Sequence, residues 1–136
     1  MGVVERIYRS KGEIKMEELV KTEREVSIIN FQVGLARFHQ DKNAYHNFLK
    51  KFKEQRLFFQ FLEHIRFKQK QQALEDCFLL IGVCNNLGFD QFKEVLLEIQ
   101  GYWTEDGVLE QDYRRRLENA YQEVCQAIEA LENKEK

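Results

Sequence analysis

No proline occurs anywhere in the 136 residues, and that absence narrows the fold more than any other property of the chain. Proline and glycine are the strongest local punctuators of a polypeptide, and here glycine is also scarce, with 7 residues. The remainder is rich in Glu, Lys, Gln and Leu, side chains that lose little rotamer freedom in a helix. No β-hairpin signature competes, so the expectation is an all-α fold. At 136 residues and 16.4 kDa the chain is the size of one domain, long enough to bury about two-thirds of the surface its unfolded form exposes.

The apolar residues recur at helical spacing. Asn30 is placed to cap a short helix carrying Phe31, Leu35 and Phe38, and Asp41 to cap the next, in which Tyr45, Phe48, Leu49 and Phe52 form a core-facing stripe. The segment from Leu57 to Phe67 has one stripe at 57, 58, 61, 62 and 65, with Phe59 and Phe67 off it. A polar connection leads to a helix from about Ala73 to Leu87, which Gly88 is suited to end in a left-handed cap. Asp90 is expected to cap a helix with Phe92, Leu96, Ile99 and Trp103 inward. A last helix carries Leu109, Tyr113, Leu117, Tyr121, Val124, Ile128 and Leu131. The sum predicts an antiparallel four-helix bundle within a domain of residues 28–136. Residues 1–27 are expected to form an N-terminal helical extension, with Val3, Val4, Ile7, Tyr8, Leu19 and Val20 as its apolar positions.

Charge and cysteine usage exclude several classes of function. The 21 Lys and Arg and 23 Asp and Glu are mixed along the chain, leaving a net charge of −2 and no single-sign field for nucleic acid or an anionic membrane. No apolar run approaches the ~20 residues that span a bilayer. Cys77, Cys84 and Cys125 are odd in number, sit in apolar helical patterns and accompany no secretory signal segment, which reads as reduced thiols in a cytoplasmic protein. No His or Cys joins Cys77 and Cys84 at metal-ligand spacing, so core packing is their expected role and no metal or cofactor is expected.

Two stretches together resemble the histidine phosphotransfer domain of two-component phosphorelays. "GLARFHQDKNAYHNFLKKF", Gly34 to Phe52, is similar to the family's opening, and "CFLLIGVCNNLGFDQF", Cys77 to Phe92, to its central helix. The family writes that helix as His-x-Leu-Lys-Gly followed by small residues and Asn-Leu-Gly. Leu80 matches the motif leucine, Gly82 the glycine, and Asn86, Leu87 and Gly88 the closing triplet. The resemblance implies a docking face on this helix, where a glycine one turn beyond the phosphohistidine leaves room for the phosphoryl group and a receiver domain.

The departure falls on the chemistry. Phe78 stands at the histidine position and Ile81 at the lysine position. A phenyl ring has no nitrogen lone pair to accept a phosphoryl group, and isoleucine neutralises no charge. His39, His46 and His64 lack a glycine four residues on, and each is read as a surface histidine without a chemical role. No glycine-rich phosphate loop or serine beside a placed base appears, so no enzyme is expected. The implied function is that of a pseudo-phosphotransfer protein that binds a receiver domain or histidine kinase as competitor or adaptor. Its partner-binding residues would be Glu75, Phe78, Leu79, Ile81, Gly82 and Asn85. The alternative is a structural helical module whose former docking face is covered by residues 1–25 or by a second copy in a homo-oligomer.

Overall fold

The structure is a computed structural model and describes residues 27–104 and 111–134. The expectations for residues 1–26 and for Leu109 therefore lie outside the described residues. Those described form six α-helices and no strand: α1 (Phe31–Arg37), α2 (Lys42–Glu54), α3 (Leu57–Arg66), α4 (Lys70–Leu87), α5 (Asp90–Thr104) and α6 (Gln111–Lys134). The all-α expectation holds.

Local chemistry explains most of the boundaries. The Asn30 side chain accepts a hydrogen bond from the Val33 amide at 3.2 Å, and Asp41 accepts one from Ala44 at 3.1 Å, so each satisfies a donor that a helix start leaves orphaned. Between them the chain reverses through His39 and Gln40, at φ 54° and 64°. Lys68 (φ 59°) makes the turn between α3 and α4, and α4 begins at Lys70, earlier than the expected Ala73. Asp90 is the first residue of α5 rather than its cap, and its carboxylate adds favourable charge to the first turn.

The C-terminal end of α4 is where four elements meet. Gly88 adopts φ 87°, and its amide and that of Phe89 donate to the Cys84 carbonyl at 2.8 and 3.0 Å. The Gly88 carbonyl accepts from the Asn30 amide at 2.6 Å, and the Gln91 amide donates to Ser27 at 2.9 Å, pinning the segment before α1 across the α4–α5 turn. A β-carbon on Gly88 would fall on the Asn30 carbonyl, so both the left-handed backbone and the close approach require glycine. The buried Tyr45 hydroxyl adds a bond to the Leu87 carbonyl at 2.8 Å. Gly34 supplies the room for that ring, since any β-carbon there would collide with it.

Each helix from α3 onward packs on its successor, α1 lies against α4, and α2 closes on both α4 and α6. The interior is aromatic at its centre. Phe58 stacks on Tyr121 at 4.1 Å and 5° between planes, and Phe52 meets Phe89 edge-on at 4.9 Å. Such pairs are worth about 0.5–1.5 kcal/mol beyond the area they bury. Along α6, Tyr113, Leu117, Tyr121, Val124 and Ile128 are buried as the spacing predicts. Phe48 departs from the expectation. Tyr45, Leu49 and Phe52 are buried, but Phe48 is half exposed and only leans on Phe38, with 5.1 Å between ring centres. Its position is about 60° around the helix from Tyr45, at the rim of the stripe, where only the short α1 is available to cover it.

Candidate functional site

Helix α4 carries two apolar faces, and only one of them is buried. Ala73, Cys77, Leu80, Cys84 and Leu87 face the interior at helical spacing. On the other side Phe78 is 69% exposed and Leu79 54% exposed, and Glu75 and Asn86 are exposed beside them. Gly82 lies one turn beyond Phe78, and a β-carbon placed on it meets no atom within 4 Å. The result is an aromatic and an aliphatic side chain standing next to a stretch of bare helix backbone. Phe78 is the most exposed large apolar side chain among the described residues.

Of the six residues expected to meet a partner, Glu75, Phe78, Leu79 and Gly82 share this outward face, and Asn85 is half-buried at its edge. Ile81 does not belong with them. It is half-buried and packed against the core, because its place in the helical repeat turns it beside Cys77 and Cys84. A branched aliphatic side chain at that position contributes to the interior rather than to the surface.

The structure also assembles a polar constellation on the opposite side of α4. Asp76 is 3% exposed, within the buried stripe. Its two carboxylate oxygens are both engaged, Oδ2 by His64 Nδ1 at 2.5 Å and Oδ1 by the Gln60 side-chain amide, which donates at 2.8 Å. The reading of His64 as a surface histidine without a role is thereby corrected: it is the partner that makes a buried carboxylate tolerable. A signal existed in the sequence, since an aspartate between Ala73 and Leu80 on an apolar stripe requires a polar partner. Its partners are twelve and sixteen residues away, and only the pairing of α3 with α4 brings them near.

The thiols sit where the spacing placed them. Cys77 and Cys84 are buried, Cys125 is half-buried, and all three are free. Burial, with a smaller contribution from the neighbouring Asp76 charge, pushes the Cys77 thiol up to about 12, and burial raises Cys84 further. Both therefore stay protonated near neutral pH and are poor nucleophiles. Among the described residues no three His, Cys, Asp or Glu side chains gather where they could hold a metal ion, and no helix is long and apolar enough to cross a membrane.

Comparison with protein-family models, with curated proteins and with solved structures finds no match to this chain.

Proposed function

We propose that the protein is a non-catalytic, phosphotransfer-like helical protein that binds a receiver domain or a histidine kinase through the outward face of α4. The observation that carries this reading is the exposed pair Phe78 and Leu79 beside the open backbone at Gly82. Apolar side chains of that size on the surface are individually ordinary. Two of them adjoining a glycine depression form a shape that another protein surface can fill. The helix packing supports the same reading. With α2 and α3 taken as one element interrupted at Gln55 and Arg56, we read that element with α4, α5 and α6 as a four-helix arrangement, a reading that the contact of α2 with α6 supports. Asn86, Leu87 and Gly88, the closing triplet of the resemblance, end α4.

Docking rather than transfer is the activity that these residues suit. Phe78 occupies the position from which a histidine would receive a phosphoryl group, and it offers burial instead. About two-thirds of the ring's surface remains to be covered, corresponding to roughly 1–2 kcal/mol on contact.

Titration of the purified protein against receiver domains and histidine kinase domains of the source organism tests this. Saturable binding that weakens with Phe78→Ala and is abolished by Gly82→Arg is the expected result. Binding indifferent to both substitutions would overturn the proposed face. Incubation with a phosphorylated receiver should leave the wild-type chain unlabelled, and stable phosphate on any of its histidines would overturn the non-catalytic reading. Concentration-dependent self-association abolished by Phe78→Ala would instead assign the face to a second copy.

A further inference from the structure

A second concave surface lies between α3 and the start of α6, and its chemistry differs from that of the α4 face. Arg56, the residue before α3, and Phe59, Gln60, Glu63 and Arg66 along one side of it line a groove of about 320 Å³ together with Arg114 of α6. Three guanidinium groups against the carboxylate of Glu63 in the lining and that of Glu118 paired with Arg114 leave the groove a local positive charge, in a chain whose net charge is −2. Two of the lining side chains are apolar. Leu62 lies beneath, and Phe59, half exposed, stands edge-on to Tyr121 with ring centres 5.5 Å apart.

We propose that this groove binds a small organic anion, a phosphate or carboxylate group carried on a flat apolar body. Three features select that class. Guanidinium is the side chain whose planar fork matches a carboxylate or phosphate, and three line this groove, from Arg56 at the start of α3, Arg66 at its end and Arg114 in α6. Arg114 is paired with Glu118, whose carboxylate lies 3.2 Å from its Nε. The Phe59 ring offers the apolar half of the complement, which accounts for an aromatic residue left at the surface of a helix whose other phenylalanines, Phe58 and Phe61, are buried. The volume suits a small molecule rather than a flat macromolecular contact. Gln60 anchors the wall, because its amide is spent on the buried carboxylate of Asp76 at 2.8 Å and α3 is thereby held in register.

This site is independent of the proposed partner face, which lies on the other side of α4, so each is tested without the other. The probe is 1-naphthyl phosphate, followed by calorimetry or by quenching of the naphthyl fluorescence, with 1-naphthol and inorganic phosphate as the two halves of the ligand. Saturable 1:1 binding of naphthyl phosphate, at least about tenfold tighter than either half, is expected, with affinity falling as salt is raised. Arg66→Gln and Arg114→Gln should each weaken it by about tenfold, as the loss of a charge-assisted hydrogen bond implies, while Phe78→Ala leaves it unchanged. Both arginines are at the surface, and equal thermal midpoints for the variants and the wild type would show that they fold. The proposal is overturned by absence of saturable binding at millimolar probe, by equal affinity for naphthol, by indifference to both arginine substitutions, or by a preference for polyglutamate over the aryl phosphate.

Discussion

Replacing Gly82 with alanine separates stability from binding at one atom. Gly82 is inside α4, five residues before its end, and glycine in a helix interior costs roughly 0.8–1.0 kcal/mol relative to alanine. The added methyl would meet no atom within 4 Å, so no steric penalty offsets that gain. Gly82→Ala should therefore stabilise the fold by about 1 kcal/mol, which for a chain of this size raises the thermal midpoint by about 3–5 °C. Its effect on partner binding should have the opposite sign. A methyl introduced where a partner surface packs on bare backbone acts as overpacking, costing about 1–3 kcal/mol, or a 5- to 150-fold weaker complex. Urea and thermal unfolding measure the first quantity, and titration with whichever receiver or histidine kinase domain binds the wild type measures the second. A lower thermal midpoint would refute the open geometry at Gly82, and a higher midpoint with unchanged affinity would refute its role in docking.

The remaining expectations concern the interior. Asp76→Ala should destabilise the fold by about 3 kcal/mol, because Gln60 and His64 lose their shared acceptor, and His64→Ala should cost nearly as much by leaving the carboxylate underpaired. The double variant should cost clearly less than the sum of the two, and additive chemical denaturation energies would refute the pairing. Gly34→Ala should lower stability by about 1–3 kcal/mol despite alanine's better helix propensity, since the methyl collides with the Tyr45 ring. An unchanged urea midpoint would contradict that contact. Stability should also fall at alkaline pH. Cys77 and Tyr45 are both pushed up to about 12 by burial and keep their protons in the fold, whereas the unfolded chain releases them from about pH 8.5 and 10. The folded state then holds more protons, so stability is full below about pH 8.5 and declines as pH rises, by up to about 1.4 kcal/mol per pH unit for each group. A urea midpoint that stays level from pH 7.5 to 10.5 would rule this out.

What could be read from residues alone follows the range of the interactions involved. Asn30, Asp41 and Gly88 were legible as helix ends because a cap acts on backbone groups within a turn of itself. The buried stripes of α3, α5 and α6 were legible because helical spacing alone assigns a face to the interior. Phe48 was misassigned for a related reason: a stripe has edges, and whether an edge position is covered depends on how long the neighbouring helix is. The exposed apolar face of α4 lay between these cases. Its residues could be named, but α4 is apolar on two sides, so only packing decided that Leu80 and Ile81 turn toward the interior while Phe78 and Leu79 face outward.

The sequence by itself determined the helical class and the helix ends at Asn30, Asp41 and Gly88, all of which rest on side-chain identity or on contacts within one helix turn. Tertiary structure alone decided that His64 serves the buried Asp76, and that Arg56, Arg66 and Arg114 share one groove. Those groups come from helices whose relative placement is set by the burial of Phe52, Phe58, Phe92 and Tyr121 at the centre, a cooperative outcome of the whole core that no local pattern encodes.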